Sequence, residues 1–316
     1  MRARTEARPV GPASAIPASV GNTSKELPVR LPFGPPFAAE ALLSFLAARA
    51  VPGVEEVNDG TYRRGVQGTE GGTAVIAVTP HPVEGYVTVS TSAGDVRNVH
   101  DLAAIVQGAR HTFDLDADPE TIDPALTQDA KLAPLVRRTR GVRVPGTFDA
   151  FELVVRAIFG QQVSVPGART SLGKFAARFG TALDPPSGSV THLFPPADRV
   201  AEVPPETLQM PRGRAEAIRR VAELVSVGQL DLSGGALPEE TLHTLGEVRG
   251  IGPWTLAYVA MRALHDPDAF LAGDLGVRRS LHALGLPSEP REVLDRAERW
   301  RPWRAYAVMH LWHEHI

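Results

Sequence analysis

Val248-Arg249-Gly250-Ile251-Gly252-Pro253-Trp254-Thr255 joins two helical patterns, with Leu242, Leu245 and Val248 before it and Leu256, Val259 and Ala260 after it. A Gly-hydrophobic-Gly turn between helices has a definite physical use. Gly250 and Gly252 allow backbone angles and a close approach that a side chain would block. Ile251 is expected to point inward and pin the turn, while amides at the start of the second helix face a phosphate or a cation that bridges to one. An ordinary helix–helix turn is the plainer reading of the same glycines. Downstream, Phe270-Leu271-Ala272-Gly273-Asp274-Leu275-Gly276-Val277 sets a carboxylate between a glycine and a helical run of Val277, Leu281 and Leu284. Asp274 reads as a helix N-cap, accepting from free amides. It also reads as a carboxylate at the mouth of a cleft, placed to stabilise positive charge or activate water. The two roles are compatible.

The elements that must position these residues fall into two classes. A helix is expected over 38–50, where Leu42, Leu43, Phe45 and Leu46 share an apolar face and Pro52-Gly53 ends it. Residues 73–78 and 86–91 are rich in β-branched side chains, with a turn at 81–85 between them, so they read as an antiparallel hairpin. An earlier strand around 57–65 would extend it to a small sheet. From about residue 97 no strong strand signal appears. Helical patterns cover 98–109, 120–130, 148–161, 165–179, 214–227, 239–248, 253–265, 274–284, 291–299 and 302–315, separated by Pro/Gly loops such as Asp184-Pro185-Pro186-Ser187-Gly188. Phe151, Val154, Val155, Ile158 and Phe159 recur at helical spacing and read as core. The chain is therefore expected to be α+β: a disordered leader at 1–27, a sheet domain at 28–96, and a helical domain at 97–316.

Composition limits what such a chain can do. Its 316 residues contain no cysteine, which excludes a disulfide scaffold, a thiolate zinc site, a cysteine nucleophile and a cysteine-ligated iron–sulfur cluster. The formal charge of -3 argues against coating nucleic acid through bulk charge but leaves room for a local basic face. Arg137, Arg138, Arg140 and Arg143 form the densest basic run; it reads either as solvated surface or as DNA-backbone contact. No stretch reaches the roughly 18–20 apolar residues that span a bilayer, and the first residues lack a signal-peptide core, so no membrane partner and a cytoplasmic location are expected.

Taken together, the hairpin and Asp274 resemble the helix-hairpin-helix DNA glycosylase superfamily. Two further segments narrow the likeness. Arg143-Val144-Pro145-Gly146-Thr147-Phe148-Asp149-Ala150-Phe151-Glu152, running into Ala157-Ile158-Phe159-Gly160-Gln161-Gln162-Val163-Ser164-Val165, looks like the central helix and wedge loop of the DNA-3-methyladenine glycosylase II (AlkA-type) family. Trp300-Arg301-Pro302-Trp303-Arg304-Ala305-Tyr306-Ala307 through His310-Leu311-Trp312 is similar to that family's C-terminal helix. The resemblance covers roughly residues 28–316 and is strongest from 140 onward.

It implies an N-terminal antiparallel sheet like one half of the TATA-binding-protein fold, then an all-α body in two lobes with the cleft between them. The implied activity is that of a monofunctional DNA glycosylase in base excision repair. It would flip out and hydrolytically excise N-alkylated, cationic purines such as 3-methyladenine and 7-methylguanine. By the same resemblance Asp274 would stabilise the sugar cation, and Trp254, Tyr258 and Trp312 would hold the cationic ring, at roughly 0.5–2 kcal/mol per cation–π contact. Packing within the helices is the competing role for both tryptophans.

Gln162 stands where the family's wedge is a leucine, giving up apolar intercalation for a group that can hydrogen-bond the orphan base. Trp254 stands where lyase-competent members carry a lysine, so strand nicking is not expected. No cofactor is required. A monovalent cation on backbone carbonyls around Val248 and Ile251 would aid docking to double-stranded DNA, and the chain is expected to be a monomer. Two alternatives stay open: a non-catalytic helix-hairpin-helix DNA-binding protein, and a glycosylase for deaminated or oxidised bases.

Overall fold

The computed structural model describes residues 28–68, 71–94, 99–232 and 237–313. The leader expected at 1–27 lies outside them. Five antiparallel strands form the first sheet: β1 (Val29–Pro32), β2 (Glu55–Asn58), β3 (Thr61–Gln67), β4 (Thr73–His81) and β5 (Tyr86–Gly94), in the order β1-β5-β4-β3-β2. Helix α1 (Ala39–Arg49) connects β1 to β2. The strand expected over 57–65 is two strands. Asp59 and Gly60 both take positive φ, 49° and 70°, in the two-residue turn that an Asp-Gly pair favours. Strand β1, for which the sequence carried no separate strand signal, pairs with β5 with Leu31 opposite Val87.

In β4, Ala74, Val75, Ile76, Ala77 and Val78 are all buried, so the strand is covered on both faces. On one face Ile76 and Val78 join Tyr62, Val87 and Val89 in a core shared with α1 and the later helices. On the other, Val75 packs with Leu183, Val190 and Leu193 of a second hairpin, β6 (Thr181–Ser187) and β7 (Val190–Leu193). That hairpin was not expected, because Asp184-Pro185-Pro186-Ser187-Gly188 carries turn chemistry rather than β-branched residues. Its approach depends on Gly65, where a Cβ would sit 2.8 Å from Leu193 Cδ2.

Helices make up the rest: α2 (Val99–Phe113), α3 (Pro119–Leu126), α4 (Ala133–Arg138), α5 (Ala150–Gly160), α6 (Val165–Phe179), α7 (Ala197–Ala201), α8 (Arg212–Ser226), α9 (Pro238–Gly246), α10 (Pro253–Arg262), α11 (Leu275–Ala283), α12 (Pro290–Ala297) and α13 (Arg304–His313). The short α4 and α7 were not foreseen. Two apolar cores divide these helices. One joins the sheet and α1 to α11, α12 and α13, with Phe45, Val277, Leu281, Trp300 and Leu311 at most 1% exposed. The other joins α5, α6, α8, α9 and α10 around Val154, Ile158, Ile218, Leu245 and Val259. Tyr258 of α10 packs against both.

A buried ion network fixes the sheet to α5. Arg64 pairs with Glu152 at 2.8 Å, and Arg156 bridges Glu152 at 2.9 Å and Glu55 at 2.8 Å. Tyr62 Oη donates to Glu55. Arg156 also donates to the Arg49 carbonyl at 2.7 Å, and Arg169 of α6 to the Ala50 carbonyl. Paired charges of this kind hold register because breaking one leaves the other buried and unpaired. The C-terminal end of α1 is thereby set against α5 and α6. No helix among the described residues is long and apolar enough to cross a membrane.

Candidate active site

Asp274 is the N-cap of α11, and its Oδ1 accepts from Val277 N at 2.9 Å. The carboxylate does more than cap. Trp312 Nε1 donates to Oδ1 at 2.8 Å, and Trp254 Nε1 donates to Oδ2 at 3.0 Å. Three elements thus converge on one carboxylate: α11 supplies it, α10 and α13 each supply an indole N–H. Gly276 allows the close fit, since a Cβ there would lie 3.1 Å from both Asp274 Oδ1 and Trp312 Cδ1. Asp274 itself is half-buried and stays open to solvent on one side.

The indoles are also part of an aromatic wall. Trp254 stacks on Tyr258 with ring centroids 5.1 Å apart and planes 15° from parallel. Tyr258 and Trp312 lie 6.5 Å apart, and Trp312 stacks on Phe45 of α1 at 5.9 Å. Trp254 and Tyr258 are half-buried, whereas Trp312 is 7% exposed, so the packing role and the site role coexist in it. Tyr258 Oη accepts from Arg262 at 2.6 Å. Burial would raise the pKa of that hydroxyl, but the guanidiniums of Arg262 and Arg49 outweigh it and hold the group below its usual value. Arg262 also donates to the carbonyls of Pro145 and Gly146, fixing the segment that leads into α5.

The hairpin between α9 and α10 has the expected form. Gly250 takes φ +100°, a region closed to most side chains, and Ile251 is 8% exposed with its amide on the Val248 carbonyl at 3.0 Å. Gly252 caps α10 and Pro253 opens it. The loop after α5 is tied to this hairpin: Gln161 Nε2 donates to the Gly250 carbonyl at 3.0 Å and to Thr255 Oγ1 at 3.1 Å. Gln162, next to it, is exposed with φ +56°, and Val163 and Val165 beside it are 41% and 42% exposed. A glutamine in the left-handed region is strained, and its side chain projects from a loop anchored to the hairpin.

Residues 28–149 match the AlkA N-terminal domain, and residues 155–305 match the HhH-GPD superfamily base excision DNA repair protein family. DNA-3-methyladenine glycosylase 2 of Escherichia coli is 34% identical over 88% of this chain and 94% of its own. The chain belongs to the HhH-GPD superfamily. A Mycobacterium tuberculosis protein named "Probable bifunctional transcriptional activator/DNA repair enzyme AlkA" is 40% identical over 99% of the chain, which spans 60% of that protein's length. A solved 3-methyladenine DNA-glycosylase from Archaeoglobus fulgidus shares the fold, with TM-score 0.76 at 24% identity, over 90% of this chain and 97% of that one.

Within this HhH-GPD chain the basic run divides. Arg137 and Arg138 end α4 and are exposed, and Arg140 is exposed with Asp123 3.6 Å away. Arg143 contradicts the expectation of DNA contact. It is 1% exposed, and its guanidinium donates to the carbonyls of Asp114, Ala117, Gly34 and Pro36. It clamps three chain segments together in the interior. The sequence reading also passed over Phe45, Arg49 and Arg262, which complete the aromatic wall. Phe45 stood only as one more apolar residue on the face of α1, and no local pattern could place that helix beside α10 and α13.

Proposed function

We propose that this protein is a monofunctional DNA glycosylase that flips damaged nucleotides out of duplex DNA and hydrolyses the bond to N-alkylated purines. The arrangement that carries the reading is the Asp274 carboxylate held by the indole N–H groups of Trp254 and Trp312, which are themselves the aromatic wall. Alkylation at a ring nitrogen makes the purine a cation that departs as a neutral base, so little acid catalysis is needed. What is needed is an electron-rich surface for the ring and negative charge where the sugar becomes an oxocarbenium ion. The aromatic wall and the carboxylate meet both demands at one place. Asp274 lies open enough to face the anomeric carbon and a water, and it takes up the water's proton or directs it.

In this reading the Gly250–Gly252 hairpin holds the DNA backbone, Gln162 fills the gap left by the flipped nucleotide, and Arg137, Arg138 and Arg140 contact phosphates outside it. A monovalent cation at the hairpin fits the donor set, because neutral backbone carbonyls such as those of Val248 and Ile251 suit a weakly demanding ion shared with a phosphate. The Val248 carbonyl uses one lone pair on the Ile251 amide and keeps the other. Trp254 offers no amine to attack the sugar, which supports hydrolysis without strand nicking. The site is assembled from described residues of one copy, which supports action as a monomer, and a DNA substrate supports a location with the nucleoid in the cytoplasm.

The test is the spectrum of bases released from duplex DNA treated with a methylating agent. Release of 3-methyladenine and 7-methylguanine, leaving abasic sites without nicks, is expected. Binding to the same DNA with no base set free would favour a silent binding protein instead.

A further inference from the structure

Residues 160–163, at the C-terminal end of α5, form a turn closed by the Val163 amide on the Gly160 carbonyl at 3.3 Å. Gln161 takes φ -60° and ψ 121°, and Gln162 takes φ +56°. These are the angles of a type II turn, whose third position asks for a left-handed residue and is ordinarily a glycine. Gln162 stands there instead. The type I alternative differs mainly by a flip of the peptide between the two central residues, and it would return Gln162 to the negative φ that a side chain prefers. Left to itself, this sequence favours the type I form, with the Gln162 side chain aimed elsewhere.

Contacts from outside the turn select the type II form. The peptide flip reverses the direction of the Gln161 carbonyl, and that carbonyl accepts from the Arg214 guanidinium of α8 at 2.5 Å. The Gln161 side chain is engaged as well, with Nε2 donating to the Gly250 carbonyl at 3.0 Å and to Thr255 Oγ1 at 3.1 Å. Thr255 follows Trp254 in the first turn of α10 and is 2% exposed, so its hydroxyl is a fixed anchor. Helix α8 is itself seated on the hairpin, since a Cβ at Gly250 would lie 3.4 Å from Ala217 Cβ and 3.5 Å from the Gly213 carbonyl oxygen. Gln161 is thus clamped by its main chain to α8 and by its side chain to the hairpin and α10, while Gln162 beside it stays exposed.

We propose that Arg214 and Gln161 are positioning residues for the wedge: they lock the 160–163 turn in its type II form, so that a hairpin docked on the DNA backbone aims Gln162 into the duplex. The proposal rests on the glycosylase reading above and adds to it a mechanical link from the hairpin to the flipped nucleotide. The test uses the full chain and a duplex carrying one 7-methylguanine beside a 2-aminopurine, whose fluorescence rises when its neighbour leaves the stack. Flipping and single-turnover base release are followed together, and affinity for an undamaged duplex is measured at several salt concentrations. Arg214→Met keeps the stem and removes the donor to the Gln161 carbonyl. The flipping equilibrium and the release rate are expected to fall together by about tenfold, the loss of one charge-assisted hydrogen bond. Affinity for undamaged DNA should stay within about twofold, with the same salt slope, because the hairpin is untouched. Gln161→Met, which cuts the bonds to Gly250 and Thr255, should show the same pattern, and Arg214→Lys, which keeps a charged donor, should recover most of the loss. In a Gln162→Ala background the turn has no wedge to aim, so adding Arg214→Met should cost less than about twofold.

A loss that persists in full in the Gln162→Ala background would mean that Arg214 only supports the fold, and the proposal would be wrong. A salt slope reduced by about one with flipping unchanged would make Arg214 a phosphate contact and overturn it equally. Wild-type flipping and release in both Arg214→Met and Gln161→Met would end the proposal while leaving the glycosylase reading intact. A wild-type chain that neither flips nor releases 7-methylguanine would end both.

Discussion

Trp254→Phe isolates a single hydrogen bond in the site. The phenyl ring keeps a flat face toward Tyr258, now 5.1 Å from Trp254, and loses only the N–H that Asp274 Oδ2 accepts at 3.0 Å. A hydrogen bond to a charged group is worth about 1.5–3 kcal/mol, or roughly 10–150-fold in rate if it is lost only in the transition state. The lower end applies here, because Oδ1 keeps Trp312 Nε1 at 2.8 Å and Val277 N at 2.9 Å. The carboxylate then pivots about one fixed oxygen instead of detaching. We expect kcat for 7-methylguanine release to fall about tenfold, with KM within about twofold of the wild type because the ring surface persists. Trp312→Phe leaves Oδ1 one of its two donors and is expected to cost less. The double variant leaves only the Val277 amide, so its loss should exceed the product of the single losses, the coupling expected of two donors on one acceptor. Single-turnover kinetics on one defined duplex would measure all of these. A Trp254→Phe enzyme with unchanged kcat and a raised KM would refute the reasoning, since the indole would then serve only as a surface for the base.

Two further outcomes concern stability and DNA contact. Arg143→Met is expected to lower stability by about 3 kcal/mol in a denaturant titration, because it strips donors from four interior carbonyls. It should leave the salt dependence of DNA binding as it was, whereas removing a phosphate contact would reduce that slope by about one. His310 is 2% exposed, and burial holds its pKa down at about 3. Its folded-state pKa lies below the unfolded value of about 6.5, so its contribution is full above that pH and is lost as pH falls toward 3. Between pH 7 and pH 5 this loss is about 2 kcal/mol. His310→Phe should remove that part of the acid sensitivity, which denaturant midpoints at the two pH values would show.

Much of this site was legible in the sequence because its parts have local signatures. The Gly250-Ile251-Gly252 turn and the cap at Asp274 sit where short-range chemistry demands a particular residue type, whereas the aromatic residues at 254, 258 and 312 were singled out by the family resemblance. Asp274 is the cap that was expected, with Oδ1 accepting from Val277, and the bond from Trp254 to Oδ2 leaves room for the catalytic role proposed for it. The parts that were missed depend on contacts across the fold. Arg143 reads as surface in a run of arginines, and only its interior position among the carbonyls of Gly34, Pro36, Asp114 and Ala117 makes it a clamp. The β6–β7 hairpin hid behind two prolines because its stability comes from burial against Val75, not from its own propensity. Phe45 and Arg49 enter the site only through the fold, where Arg156 of α5 pairs with Glu55 of β2 and donates to the Arg49 carbonyl at the end of α1.

The most direct measurement compares wild type and Asp274→Asn on a duplex carrying one 7-methylguanine, with DNA affinity and base release followed in the same samples. Asparagine keeps an oxygen for the cap and removes the charge. The account predicts matched affinity and a fall in release of about a thousandfold or more, in line with the loss of one preplaced electrostatic group. Equal rates of release from equally bound DNA would contradict it.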